Sequence, residues 1–179
     1  MTGSSRGIGA AIALRLASHG ANLAINYVSS ESAAKDVIEQ IKQLGTKAIS
    51  IRADVTRKPE VMAMFEEAKK EFGRIDIVMS NSGIEHFGEI PSVTEEDIDK
   101  VFNINVKAQF FVAQAAYEFL EDGGRLMLIS SISAVWVRSF PVVSRRYPKL
   151  PLGRPKACNL CKFESRSSRD GQVSCSGFR

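Results

Sequence analysis

The sequence predicts an α/β fold: a doubly wound parallel sheet with helices on both faces. Three observations predict it. A glycine-rich run, Thr2-Gly3-Ser4-Ser5-Arg6-Gly7-Ile8-Gly9, leads straight into a helical segment. Strand-like and helix-like periodicities then alternate as far as Ser130. Finally, residues 75–80 and 125–130 are apolar almost throughout, as parallel strands covered on both faces should be.

The glycine run reads as a phosphate loop. Its glycines let the backbone turn tightly and approach a pyrophosphate. The helix behind it, over about residues 7–19, aims free N–H groups and the positive end of its dipole the same way. A loop of this kind ordinarily follows a buried strand, and here only Met1 stands before it, so the sheet is expected to lack its first strand.

Residues 21–27 (ANLAINY) read as a strand. Over residues 32–44, Ala34, Val37, Ile38, Ile41 and Leu44 recur at helical spacing, and the pattern stops at Gly45. Residues 47–53 (KAISIRA) form the next strand. Pro59 suits the first turn of a helix whose apolar stripe is Val61, Met64, Phe65, Ala68 and Phe72, ending at Gly73. After the strand at residues 75–80 (IDIVMS), Thr94 with Asp97 resembles a capping box. It opens a helical region, with room for one break, that reaches Leu120. Residues 125–130 (RLMLIS) are a further strand of the buried type, and there is no internal repeat.

At 179 residues the chain suffices for one domain, and a domain near that size buries about 70% of its unfolded surface. Its composition excludes collagen-like, coiled-coil and wholly disordered classes. No apolar run approaches the length of a membrane-spanning helix, and no charged-then-apolar leader precedes the loop. The cytoplasm is therefore the expected compartment.

The net charge of +4 is unevenly spread. Residues 1–137 hold 14 Lys and Arg against 18 Asp and Glu, whereas residues 138–179 hold 10 against 2. All three cysteines and four of the six prolines also lie in that second stretch. The shift divides the chain into a dinucleotide-binding-type domain over residues 1–137 and a basic Pro/Ser/Cys-containing tail over 138–179. From about Trp136 the apolar residues keep no sustained period, so mostly loop, disordered or non-native sequence is expected there, with room for a short helix over residues 156–163.

A glycine loop alone is a weak signal. Here further motifs follow it in order. Asp54-Val55 comes just after one strand and Asn81-Ser82-Gly83 just after another. Asn105 lies in the long helical region, within Asn103-Ile104-Asn105-Val106, and Ser131 follows the last strand. All of these except Asn105 lie at the C-terminal ends of strands, where open α/β sheets bind ligands.

In these residues the chain resembles the short-chain dehydrogenase/reductase family, and in particular its fungal polyhydroxynaphthalene and versicolorin reductase-like members. The resemblance covers about residues 2–135. It is carried chiefly by SNSGIEHFGEI and VFNINVKAQFFVAQAAYEFLEDGGRLMLISSISA. It implies a Rossmann-like fold, and hydride transfer between a nicotinamide and a small-molecule ketone or alcohol. By the same resemblance Gly3, Gly7, Ile8 and Gly9 cradle the pyrophosphate, with Ser5, Arg6 and Tyr27 in the same cofactor set. Asp54 and Val55 hold the adenine end, Asn81, Ser82 and Gly83 brace the groove floor, and Lys107 approaches the cofactor. Asn105 supports a catalytic water chain and Ser131 holds the substrate oxygen. Members are often homo-oligomers. Each assignment has a plainer counterpart: Asp54 as the cap of a turn, Asn105 as a local brace, Lys107 as a solvated helix lysine.

Cofactor choice follows from charge. A site for NAD places a carboxylate at the end of the second strand, against the ribose 2′-hydroxyl. This chain has Asn26-Tyr27-Val28-Ser29-Ser30 there, with no acid before Glu31. Arg6 precedes the second glycine, where members that prefer NADP carry a basic residue, and a guanidinium pairs with a 2′-phosphate. NADP(H) is the expected cofactor. No metal is expected: His19 and His86 are isolated, and Cys158-x-x-Cys161 with Cys175 lacks a fourth ligand at a persuasive spacing. The basic tail lacks a recognisable nucleic-acid-binding fold, so no such partner is expected, and no membrane partner either.

The chain departs from the family pattern in two places. The family's proton donor is a tyrosine about 13 residues beyond the serine, with a lysine four residues later that lowers the phenol pKa from near 10. Here position 144 is serine, and Tyr27, Tyr117 and Tyr147 are followed four residues on by Glu31, Glu121 and Pro151. The nearest echo, Leu152-Gly153-Arg154-Pro155-Lys156-Ala157, has leucine in place of the phenol. The chain is therefore expected to be catalytically impaired. The lack of a central strand is expected to cost about 8–18 kcal/mol of apolar burial, against a whole-domain stability of about 5–15 kcal/mol. A fragment from an incorrect gene model would account for both departures, and a non-catalytic nucleotide-binding remnant is the alternative.

Overall fold

A computed structural model describes residues 1–131. They fall within a unit over Met1–Trp136, which is described by itself. The basic stretch over residues 138–179, the expected helix over 156–163 and Lys156 lie outside the described residues.

α1 (Gly7–Ala17) turns Gly9, Ala13 and Ala17 inward, and β1 (Leu23–Tyr27) follows. α2 (Glu31–Gln43) buries Ala34, Val37, Ile38 and Ile41, four of the five positions the spacing marks. β2 is Ala48–Arg52. α3 (Lys58–Phe72) starts with Pro59 in its first turn, where its missing N–H costs no helical bond. It ends at Gly73, whose φ of +79° lets the chain turn off in the left-handed region. β3 is Ile77–Ser80. The Thr94–Asp97 capping box is present at the start of α4 (Glu95–Phe102), with the Asp97 amide donating to Thr94 Oγ1 at 3.2 Å and the Thr94 amide to Asp97 Oδ2 at 3.1 Å. A π-turn over Asn103–Lys107 joins α4 to α5 (Ala108–Phe119), and β4 is Arg125–Leu128.

The strands make two parallel pairs. β1 pairs with β2, Leu23 opposite Ala48 and Tyr27 opposite Arg52. β3 pairs with β4, Ile77 opposite Arg125 and Ser80 opposite Leu128. Each pair is joined through helices, as parallel strands require. One apolar cluster joins α1, α2 and β1 around Ala17, Ile25 and Ile41; a second joins α3, α5 and the strands around Val61, Phe65 and Val112. Phe65 and Phe119 meet with ring centroids 5.8 Å apart.

The predicted sheet is thus present as two halves, with β1 and β3 facing each other across the place of the expected first strand. Residues 1 and 2 span the top of that gap. The Met1 amine donates to the Ala24 carbonyl at 3.0 Å, the Asn26 amide to the Met1 carbonyl at 3.3 Å, and the Thr2 amide to the Met79 carbonyl at 3.0 Å.

One expectation is corrected. The last strand was expected to be buried on both faces, yet all four residues of β4 are exposed, Leu128 at 49%. Among the described residues β4 pairs only with β3, so it is an edge with one uncovered side.

Candidate functional site

The loop at residues 2–9 is fixed by hydrogen bonds with two strands, at Asn26 in β1 and at Asn81 and Ser82 after β3. Thr2 Oγ1 accepts the amides of Asn81 (2.9 Å) and Ser82 (3.0 Å), and the Asn81 side-chain nitrogen donates back to the carbonyls of Thr2 (3.2 Å) and Gly3 (3.1 Å). Asn26 is 2% exposed, although it sits in a strand. Its Oδ1 accepts the Gly3 amide at 3.1 Å, and its Nδ2 donates to the Ala53 carbonyl at 2.9 Å. The Ser4 hydroxyl donates to the Met1 carbonyl at 2.8 Å and accepts the Asn26 amide at 3.2 Å.

This tight framing explains the glycines. A Cβ on Gly9 would lie 2.5 Å from the Gly3 carbonyl oxygen and 2.7 Å from Asn81 Nδ2, so the helix can approach the loop this closely only with hydrogen there. Gly7 differs: its φ is +57°, and a Cβ would meet nothing within 4 Å. Open space therefore lies at the N-terminus of α1, where unpaired helix amides favour an anion.

A cleft of about 860 Å³ lies beside this part of the loop. The loop contributes Gly3, Ser5, Arg6, Ile8 and Gly9, and the end of β1 contributes Asn26, Tyr27, Val28, Ser29 and Ser30. Beyond β2 come Asp54, Val55 and Thr56, and beyond β3 come Asn81, Ser82, Gly83 and Ile84. α4 and the π-turn supply the far wall with Glu96, Asp99, Lys100, Asn103 and Ile104. Eleven sequence-predicted residues thus share one cleft: Gly3, Ser5, Arg6, Ile8, Gly9, Tyr27, Asp54, Val55, Asn81, Ser82 and Gly83.

Four others do not line it. Gly7 is the first residue of α1. Lys107 is exposed, with its Nζ 5.8 Å from the centre of the Phe111 ring. Ser131 is exposed at the end of the described residues. Asn105 stands one layer back: its Oδ1 accepts the Ile84 amide at 2.9 Å and its Nδ2 donates to the Ile84 carbonyl at 2.8 Å. Both ends of this amide brace the cleft floor. Asp54 lines the cleft, but its Oδ1 accepts the Thr56 amide (2.9 Å) and hydroxyl (2.8 Å), which caps the turn after β2.

Charge around the end of β1 is one-sided. Glu31, the first acid after β1, pairs with Lys35 at 2.7 Å, and that bond holds its carboxyl below the usual carboxylate range. Arg52 Nε donates to the Val28 carbonyl at 3.1 Å, bringing a second cation near this corner. Arg6 is exposed, and no ion pair engages it among the described residues. Thr2, Ser4 and Asn26 escaped sequence reasoning as framing residues, although a polar residue inside the run ANLAINY was a signal. The far wall from α4 left no signal, because Glu96, Asp99 and Lys100 read as an ordinary solvated helix face.

Residues 1–143 match the family of short chain dehydrogenases. The chain belongs to the short-chain dehydrogenase family. Over 134 residues it is 53% identical to the hydroxynaphthalene reductase-like protein Arp2 of Metarhizium brunneum, covering 75% of this chain and 50% of that protein. It therefore spans about half the length of that relative. A short chain dehydrogenase from Burkholderia cenocepacia, solved in complex with NADP, is 41% identical with a TM-score of 0.74, covering 77% of this chain and 56% of that one. A blue fluorescent protein from a metagenomic library, solved with NADPH, is 40% identical with a TM-score of 0.65, covering 70% of this chain and 51% of that one. The family is one of oxidoreductases with a Rossmann-like fold. Among the described residues no helix is long and apolar enough to cross a membrane.

Gly9 offers a test in which two effects have opposite signs. Helix propensity alone makes Gly9→Ala stabilising by up to about 1 kcal/mol. The contacts at 2.5 and 2.7 Å demand displacement of the loop, and overpacking of that kind costs about 1–3 kcal/mol. A net loss of stability is expected in thermal unfolding. A variant as stable as the parent would mean that the loop is not held as described.

Proposed function

We propose that residues 1–137 bind NADP(H) in the cleft, with the pyrophosphate at the N-terminus of α1 and the 2′-phosphate near Arg6. The observation that carries this reading is the charge at the end of β1. There the cleft is lined by Tyr27, Val28, Ser29 and Ser30, the first carboxylate is tied to Lys35, and Arg6 is left for an anion. The glycines fit such a cofactor: Gly3 and Gly9 admit close backbone approach, and Gly7 opens on empty space. Two of the solved relatives hold NADP or NADPH, which supports the same choice.

The bound cofactor would exchange hydride with a carbonyl or alcohol carbon. The substrate we propose is a small hydroxylated polycyclic aromatic ketone, in keeping with the relative named hydroxynaphthalene reductase-like, and the setting is the cytoplasm. Ser131 would hold the substrate oxygen. Asn105 would act through Ile84, bracing the cleft floor. Lys107 would lie outside the cofactor's reach unless the side chain leaves Phe111. No Tyr-x-x-x-Lys occurs in the sequence, and this favours a second reading, a nucleotide-binding protein without turnover.

Arg6→Ala separates the two cofactors. A charge-assisted bond to a phosphate contributes about 1.5–3 kcal/mol, so NADPH affinity should fall about 10- to 100-fold while NADH affinity barely changes. Equal losses in a fluorescence titration would remove the 2′-phosphate from the proposal.

Turnover separates the two readings. A positioned proton donor contributes about 10²–10⁴-fold, so on the second reading the chain reduces a polycyclic aromatic ketone with NADPH no faster than background. Steady turnover abolished by Ser131→Ala would overturn the non-catalytic reading and require a donor other than a Tyr-x-x-x-Lys tyrosine.

A further inference from the structure

The chain leaving β2 forms one wall of the cleft through Asp54, Val55 and Thr56. Its main-chain groups there run beyond the last strand pair, Tyr27 with Arg52, and need other partners. The Ala53 amide still donates to the Tyr27 carbonyl at 3.0 Å, on the side of β1. Alternation along the chain then turns the Asp54 amide to the other side. Among the described residues β2 pairs only with β1, so no strand receives that amide. It donates instead to Glu60 Oε2, at 2.7 Å. The other polar groups of Asp54 are used within the turn: its carbonyl accepts the Arg57 amide at 3.0 Å, and Oδ1 accepts the amide and hydroxyl of Thr56. Glu60 itself does not line the cleft.

Glu60 is well placed to hold this turn. It lies in the first turn of α3, next to the fully buried Val61, with Met64 and Phe65 buried one turn on. The core therefore fixes its backbone, and the free N–H groups of the helix start favour a carboxylate there. Its second oxygen, Oε1, meets Arg57 Nη1 at 3.3 Å, while Arg57 Nε stands 3.9 Å from Asp54 Oδ2. The Arg57 side chain is 70% exposed, and ion pairs so exposed add little. The short, charge-assisted bond from the Asp54 amide to the carboxylate is the stronger tie.

Resting on the cofactor reading, we infer that Glu60 is a positioning residue for the adenine end of the nucleotide. With the pyrophosphate at α1 and the 2′-phosphate near Arg6, the adenine falls to the wall formed by residues 54–56. Glu60 makes no contact with it. The carboxylate fixes the Asp54 main chain, and with it the direction in which Asp54 and Val55 face the cleft. Without that bond the turn is untied on the side away from β1. A binding-competent shape held only about a tenth of the time lowers affinity about tenfold. The reach of the Glu60 oxygen matters here, and its charge does not.

Two variants of the full 179-residue chain separate reach from charge. Glu60→Asp keeps the charge in the first turn of α3 but withdraws the oxygen by one methylene. Glu60→Gln keeps an oxygen within reach and removes the charge. The probe is adenosine 2′,5′-bisphosphate, the adenine half of NADP, titrated by calorimetry. Glu60→Asp should weaken its binding about tenfold, and Glu60→Gln by no more than about twofold. Hydrogen exchange at the Asp54 amide, followed without nucleotide, should quicken at least about tenfold in Glu60→Asp alone. The Ile25 and Val112 amides should keep the parent's rates, as an intact core requires. Unchanged exchange at Asp54 in Glu60→Asp, unchanged affinity in that variant, or an equal loss of affinity in Glu60→Gln would overturn the inference while leaving the cofactor reading in place. A parent chain that does not bind the probe would overturn the cofactor reading and this inference with it.

Discussion

Everything the cleft can do depends on how residues 1–4 are tied. This short segment takes hydrogen bonds from the ends of both half-sheets: Thr2 Oγ1 receives Asn81 and Ser82 behind β3, while Asn26 in β1 receives Gly3 and reaches Ala53 behind β2. Thr2, Ser4 and Asn26 are all buried. Each bond lost there leaves a desolvated group unpaired, at about 1–3 kcal/mol apiece. The segment is therefore a polar joint with few alternatives, and it brings Gly3 and Gly9 to a separation only glycine tolerates.

The two halves of the sheet are otherwise self-contained. Each has its parallel pair, its crossing helices and its own apolar cluster. What joins them at the top is hydrogen bonding, while below it lies an apolar cavity flanked by open strand edges. Ile77 shows the consequence, at 43% exposed in a strand whose next three residues are buried. The nucleotide-type cleft and the cavity thus share Asn26 and the first residues of the chain.

Much of this was legible in the sequence, because local signals and global packing agree. The stripe Val61, Met64, Phe65 and Ala68 fixed the inward face of α3, Gly73 its end, and Thr94 with Asp97 the start of α4. The glycine loop and the strand-end motifs were legible as one site because open α/β sheets gather strand ends on one side. What failed depended on neighbours that composition cannot show. An apolar run such as RLMLIS predicts a strand but not the number of its partners, and among the described residues β4 has one. Pairings such as Asn81 with Thr2 join residues far apart in the chain and leave no periodic trace.

Asn105 shows how a motif position acts through its surroundings. It lies in a π-turn between two α-helices, the break for which the sequence left room, and such turns often occur at functional sites. The wider turn puts an amide side chain opposite the chain leaving β3, where its two ends meet the N–H and carbonyl of Ile84 as a neighbouring strand would. Thr2 Oγ1 holds the preceding residues by accepting the amides of Asn81 and Ser82. Asn81, Ser82 and Ile84 are thus held by hydrogen bonds to side chains, beyond the point where β3 stops pairing with β4. A floor built this way keeps its shape without a covering strand, so the cleft above it can stay open to a ligand.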